Sequence, residues 1–125
     1  MSQRLVIVGG VAAGMSAAAK ARRIKPNLDI VVYTDDNYIS YAGCGLPYFI
    51  GGRVEQVKSL IARSAEDFAL QNIQVKTLIR VEEIRPESGT IYLHDLKDKV
   101  TLKDNYGALI IASGARSFIP PIEGT

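Results

Sequence analysis

Val6-Ile-Val-Gly-Gly-Val-Ala-Ala-Gly14 is the stretch on which the fold turns. The apolar run that leads into it, Arg4 to Val8, is short, continuous and rich in β-branched residues, which suits a strand buried on both faces of a parallel sheet. It passes without a spacer into Gly9-Gly10-Val11-Ala12-Ala13-Gly14. From Ala13 to Ile24 alanine dominates, and Lys20, Arg22 and Arg23 gather ahead of Pro26. A helix over residues 13–24 is therefore predicted. Strand, glycine turn and helix in this order make a phosphate cradle. The backbone must turn tightly and come close to a pyrophosphate, and the helix N-terminus offers free N–H donors. Gly9 and Gly14 meet that requirement, while Val11 stands where the G-x-G-x-x-G pattern has its middle glycine.

Downstream, Asp29-Ile-Val-Val-Tyr33 reads as a second buried strand and completes a β-α-β unit of roughly 30 residues. The dinucleotide fingerprint expects an acid about 20 residues beyond its last glycine, placed to bind ribose hydroxyls. Here that place holds Thr34, with Asp35 and Asp36 following. Asp35 is the candidate ribose ligand; a solvated turn is a credible alternative for Asp36 and a lesser one for Asp35.

The chain has one cysteine, in Ser40-Tyr-Ala-Gly-Cys-Gly-Leu-Pro-Tyr48. Leu46, Phe49 and Ile50 recur at helical spacing before Gly51-Gly52, so Cys44 is expected at the N-cap of a short helix with Pro47 in its first turn. A positive helix end favours the thiolate that a nucleophilic or redox sulfur requires. The alternative is a small buried apolar residue, the commoner fate of a free cysteine.

Farther along, Ser64 and Asp67 resemble a capping box opening a helix through about Gln71, and Ile73 to Thr77 reads as a third strand. Val81 to Arg85, Thr90 to Asp95 and Lys99 to Lys103 are short alternating segments parted by turn residues, which predicts an antiparallel meander. His94, on the middle segment, is expected to be exposed. Ala108-Leu-Ile-Ile-Ala112 is a further buried strand, and Ser113-Gly114-Ala115 after it is a second small-residue turn able to approach a nucleotide. Pro120-Pro121 and Gly124 read as a linker.

With 125 residues, 47% hydrophobic and 22% charged, the chain should form one domain or part of one. A net charge of +2 with interspersed signs gives no reason to expect nucleic acid or an anionic membrane as partner. No window approaches a membrane span and none reads as a signal segment, so a cytoplasmic location is expected. One cysteine and one histidine supply neither an internal disulfide nor a metal-ligand cluster. Redox chemistry at Cys44 would need a partner outside the chain.

Taken together, Val6 to Gly14, Ser40 to Tyr48 and Tyr106-Gly-Ala-Leu-Ile-Ile-Ala-Ser-Gly-Ala115 resemble the N-terminal part of the FAD-dependent pyridine nucleotide-disulfide oxidoreductases. The chain is most similar to the single-cysteine branch of coenzyme A-disulfide reductases, NADH oxidases and NADH peroxidases. The resemblance implies an α/β, doubly wound, Rossmann-like FAD domain, with a parallel sheet and an antiparallel meander. It would be incomplete at its C-terminal end: residues 1–115 would be the FAD part, and residues 116–125 a linker toward an NAD-binding domain. FAD contacts are implied at Gly9, Gly10, Val11, Ala12, Ala13, Gly14, Thr34, Asp35, Cys44, Val81, Ala112, Ser113 and Gly114. NADH or NADPH would bind outside this chain and reduce the flavin, which passes electrons to Cys44.

Within the branch, oxidases and peroxidases carry a histidine in the glycine turn where this chain has Ala12. That difference favours the coenzyme A-disulfide reductases. Their substrate contacts carry over to Ser16, Lys20, Arg23, Ser40 and Gly43. Lys20 and Arg23 share a helical face and either meet a nucleotide phosphate or form a solvated cluster at the helix end. Four positions depart from the pattern: Gly43 for an asparagine, Gln71 for a lysine, Thr34 for the ribose acid and Gly107 for an aspartate. The resemblance thus implies reduction of coenzyme A disulfide or a related disulfide or polysulfide by a homodimeric parent. The alternatives are an oxidase or peroxidase working through a cysteine sulfenic acid, and a nucleotide-binding fragment without activity. The chain alone is expected to be inactive, to bind FAD weakly and to self-associate.

Overall fold

The computed structural model describes residues 3–125. Strand β1 (Arg4–Val8) leads through the glycine turn into helix α1 (Ala12–Ile24), and β2 (Asp29–Tyr33) returns alongside β1. A long connection follows, carrying the five-residue helices α2 (Leu46–Ile50) and α3 (Ala65–Ala69), and ends in β3 (Ile73–Lys76). Next come β4 (Ile79–Arg85), β5 (Thr90–Asp95) and β6 (Thr101–Asn105), then β7 (Ala108–Ile111). The parallel sheet has the order β3-β2-β1-β7, and β4-β5-β6 form a separate antiparallel sheet. This is the doubly wound α/β arrangement with a meander that the sequence predicts.

Strand alternation divides the core between the two faces of the parallel sheet. Leu5, Ile7, Ile30 and Val32 meet Met15 and Ala18 of α1 and Phe68 of α3. Val6, Val31 and Tyr33 point the other way, against Ile79, Ile91 and Leu93 of the meander. Both faces are covered, so β1 and β2 are apolar after their first residues, Arg4 and Asp29. Each fully buried Val, Ile or Leu contributes about 1.5–3 kcal/mol.

Polar contacts lock the meander to the sheet. Arg4, at the start of β1, pairs with Asp29 and, at 2.8 Å, with Asp104 of β6. The Tyr33 hydroxyl donates to the same Asp104 carboxylate at 2.6 Å. Arg22 does comparable work for α1, donating to the Gln71 and Asn72 carbonyls at 2.9 and 2.6 Å and so fixing the turn between α3 and β3.

The third meander strand begins two residues later than the alternation predicts. Lys99 adopts a positive φ of 55°, and the Asp95 carboxylate accepts from the Lys97 and Asp98 amides. The stretch from Leu96 to Val100 is therefore loop, and its alternation is incidental. His94 is half-buried rather than exposed, because it lies in the middle strand of the meander, paired with Arg80 and Thr101. The capping box forms as read: Ser64 accepts from the Asp67 amide, and Asp67 accepts from the Ser64 amide. Residues 112–125 form no helix or strand.

Candidate active site

In the parallel sheet β1 lies between β2 and β7. The chain leaves β1 toward β2 and reaches β7 from the opposite side, so a crevice opens beyond the carboxyl ends of the strands, where open α/β sheets bind ligands. A cleft of about 660 Å³ lies there, and Gly9, Gly10, Asp35, Val81 and Ser113 are among its walls. A larger groove of about 780 Å³ is lined by Leu5, Ile24, Leu28 and Ala108. It lies at the amino ends of the strands, away from the glycine turn, and has the character of an uncovered apolar flank.

The turn is built for close approach. Gly9 has φ +115°, and a Cβ there would run into the Ala112 carbonyl, while a Cβ on Gly14 would run into the carbonyl of Gly9. Helix, turn and exit of β7 are thus pressed together at a spacing that only glycine allows. No side chain caps α1, whose N-cap is Val11, and its first internal bond runs from the Met15 amide to the Val11 carbonyl. The amides of Ala12, Ala13 and Gly14 are left without helical partners. A cradle of free amides at a helix N-terminus fits a pyrophosphate.

At the end of β2 the three candidate residues do different work. Thr34 is only 6% exposed, and its side chain abuts Gly10, where an added Cβ would come within 3.0 Å of it. It seats the turn and presents little surface to a ribose. Asp36 closes the local turn by accepting from the Tyr38 amide at 3.1 Å. Asp35 is exposed on the cleft, with one carboxylate oxygen 3.7 Å from Arg80 Nε and 3.7 Å from Arg116 Nη2. Val81 joins the cleft wall next to a break in the β4–β5 register between Val81 and Glu83. Ala112, Ser113 and Gly114 line the wall after β7.

The cysteine loop is tied to the glycine turn by one backbone bond, from the Ser40 amide to the Gly10 carbonyl at 2.9 Å. Two more, Ala42 to Leu60 at 2.7 Å and Ala62 to Ser40 at 2.9 Å, pin it to the following segment. Tyr41 consequently reaches the cleft wall, three residues before the thiol. Cys44 is free and exposed, which rules out the buried apolar role for it here. It is not an N-cap as the spacing predicts. Gly43–Gly45 form a single 3-10 turn, and Gly45 caps α2.

Ser16, Lys20 and Arg23 are exposed on α1 at spacings of four and three residues, which puts them on one face. Gly43 is exposed and Ser40 half-buried. These five, with Cys44, Ala12, Ala13 and Gly14, lie outside the cleft lining. Sequence reasoning gave no cleft role to Tyr41, Arg80 or Arg116. Tyr41 lies within the quoted stretch from Ser40 to Tyr48, whereas nothing in the local sequence marks Arg80 or Arg116.

Comparison with known proteins accords with this geometry. The family model of the pyridine nucleotide-disulphide oxidoreductases matches residues 3–125. The chain belongs to this family. As a pyridine nucleotide-disulphide oxidoreductase chain, it is 35% identical over 122 residues to an NADH oxidase of Methanocaldococcus jannaschii, covering 97% of this chain and 27% of that protein. It is 33% identical over 113 residues to a coenzyme A disulfide reductase of Staphylococcus epidermidis, covering 90% of this chain and 26% of that one. Among solved structures it superposes on reduced Bacillus anthracis CoADR-RHD with a TM-score of 0.93 and 35% identity, covering 98% of this chain and 22% of that one. The chain therefore spans about a quarter of the length of the relatives it matches.

Proposed function

We propose that this chain supplies the FAD-binding and thiol-bearing part of a flavoprotein. The parent enzyme uses NADH or NADPH to reduce coenzyme A disulfide, or a related small disulfide or polysulfide. The observation that carries the reading is the hydrogen bond from the Ser40 amide to the Gly10 carbonyl. It fastens the loop bearing the one cysteine to the turn that fits a pyrophosphate, so a dinucleotide seated on that turn has a thiol near it. The flavin, when bound, relays electron pairs from the nicotinamide to sulfur.

In this reading Gly9 to Gly14 hold the pyrophosphate, and Asp35 accepts from a ribose hydroxyl. The wall formed by Val81 and by Ala112 to Gly114 encloses the rest. Cys44, as thiolate, attacks one sulfur of the substrate disulfide, forming a mixed disulfide and releasing one thiol. One electron pair then cleaves that mixed disulfide, regenerating the Cys44 thiolate and freeing the other thiol. Lys20 and Arg23 meet the phosphates of coenzyme A, with Ser16, Ser40 and Gly43 beside them. A cytoplasmic setting suits a free, exposed thiol, and the parent is a homodimer.

A second reading, an NADH oxidase or peroxidase acting through a Cys44 sulfenic acid, draws on the likeness to the Methanocaldococcus jannaschii protein. Ala12 counts against it, because that branch carries a histidine in the glycine turn. A nucleotide-binding role without chemistry is the third. Mass spectrometry of the full-length protein after exposure to coenzyme A disulfide separates them. An adduct on Cys44 supports the first. A recyclable sulfenic acid formed with peroxide, together with no turnover of coenzyme A disulfide, replaces it with the second. A colourless protein that NADH leaves unchanged leaves the third.

A further inference from the structure

Glycines flank the thiol on both sides, and the second of them is explained by what lies beneath it. A Cβ on Gly43 would meet only Tyr41 Cε2, at an ordinary contact of 3.7 Å. A Cβ on Gly45 would lie 2.5 Å from Leu60 Cδ2, well inside the optimal separation of two carbons. The backbone at Gly45 asks for no glycine, since its φ of −85° and ψ of −12° are right-handed helical values that any residue adopts. What keeps a side chain out of position 45 is Leu60.

Leu60 holds the same turn at its other end. It is the buried residue of a 3-10 turn over Val57–Leu60, only 7% exposed. Its carbonyl accepts from the Ala42 amide at 2.7 Å, and the Gly45 amide closes onto the Ala42 carbonyl at 2.9 Å. A bridge between Tyr41 and Ile61, and a bond from the Ala62 amide to the Ser40 carbonyl at 2.9 Å, extend the contact into a short antiparallel ladder. One residue thus grips residues 42–45 with its backbone ahead of the thiol and with its side chain behind it. Cys44 itself stays exposed.

We infer that Leu60 is a positioning residue for the Cys44 thiol. The depth to which its side chain fills the hollow under Gly45 sets where the sulfur stands relative to the glycine turn. The inference rests on the proposed reading of Cys44 as the sulfur that exchanges with a disulfide. That exchange needs the sulfur in line with an S–S bond, and in such a geometry a misplacement of about 1 Å costs about a hundredfold in rate. A buried apolar side chain fixes the turn from below and leaves the thiol open to a substrate arriving from solvent.

The contact allows one methylene to be moved from one side of it to the other. Gly45→Ala adds a carbon that Leu60 Cδ2 obstructs, so the turn is pushed outward. Leu60→Val ends the side chain near the present place of Leu60 Cγ, which is 3.7 Å from the added Cβ. Alone, that change leaves the turn unsupported. Together the two changes conserve volume, the kind of swap that packed contacts tolerate best.

The test is stopped-flow absorbance on the full-length protein loaded with FAD, which separates reduction of the flavin by NADH from its reoxidation by coenzyme A disulfide. Each single variant should slow the disulfide step by about 10- to 100-fold, while flavin reduction keeps its rate. The double variant should recover most of the lost rate, a coupling that independent sites do not show. Hydrogen exchange over residues 40–48 should quicken in each single variant and slow again in the double one, with β1 and β2 unchanged throughout. A double variant no faster than the slower single, a loss shared equally by both steps, or unchanged exchange over residues 40–48 overturns the inference and leaves Cys44 in its role. A disulfide step that survives in Cys44→Ser sinks the reading of the thiol and this inference with it.

Discussion

The carbonyl of Gly9 occupies the place where a Cβ on Gly14 would stand. The obstacle is backbone, which cannot swing aside as a side chain can. In an open helix, alanine in place of glycine would stabilise by about 1 kcal/mol. Here Gly14→Ala should instead destabilise by about 1–3 kcal/mol, the cost of overpacking. Urea unfolding gives the sign directly, and a gain in stability would show that the turn can yield. Loss of FAD affinity should accompany the destabilisation.

Asp35→Ala should weaken FAD binding to the full-length protein by about 1–3 kcal/mol, the scale of a hydrogen bond to a charged acceptor. Asp36→Ala should change it little, because that carboxylate is engaged with the Tyr38 amide. Flavin fluorescence titration measures both. Small, equal effects would transfer the ribose to the backbone.

Cys44→Ser should abolish reduction of coenzyme A disulfide by the full-length protein. Bleaching of the bound flavin by NADH or NADPH should survive, because only the second half of the relay needs sulfur. Stopped-flow absorbance follows the first half and thiol release the second. Retained disulfide turnover in the variant would remove Cys44 from the mechanism.

Lys20→Ala and Arg23→Ala together should raise KM for coenzyme A disulfide more than for a small uncharged disulfide, with kcat similar for both. An equal rise for the two substrates would return these side chains to the role of a solvated helix end.

Stability should depend on pH through the contacts that join the meander to the sheet. Burial would raise the Asp104 carboxyl, but hydrogen bonds from Arg4, Tyr33 and the Asn105 amide hold it below its ordinary value. The unfolded chain therefore takes up the proton first. The contribution is full above the unfolded value of about 3.9 and is lost as pH falls through the lower folded one. Burial, then the bond to Asp104, raises the Tyr33 hydroxyl. Its contribution is full below the unfolded value of about 10 and is lost as pH rises through the folded one. Tyr33→Phe should flatten both limbs in chemical unfolding measured across pH, and unchanged limbs would place the dependence elsewhere.

Much of this architecture is legible in the residues themselves. β1, β2 and β5 coincide with the predicted segments, because their apolar periodicity is enforced by burial. Ser64 and Asp67 mark the start of α3, because a capping box is a local interaction. Cys44 was harder to place: the 3-10 turn over Gly43–Gly45 and the first turn of a helix share the same residue spacing and differ by a single hydrogen-bond step. Thr34 lies beneath the turn, and the exposed position next to it carries a carboxylate, which is what the proposed ribose role of Asp35 requires. Arg80 and Arg116 were beyond reach, since their meeting with Asp35 depends on where β4 and the segment after β7 come to rest.

Of the two inner strands of the sheet, β1 is made first and finished last. β1 pairs with β2 at once, but its other neighbour is β7, and the Arg4–Asp104 contact spans 100 residues. Contacts so distant in sequence slow folding. During synthesis β1 must wait with one edge open while the cysteine loop and the whole meander emerge from the ribosome. The wall from Ala112 to Gly114 emerges well after the glycine turn, so until then a nascent chain has only half of the cleft. In the proposed reading, cofactor loading waits until translation has passed these residues, and the glycine turn stands ready for a ligand it cannot yet enclose.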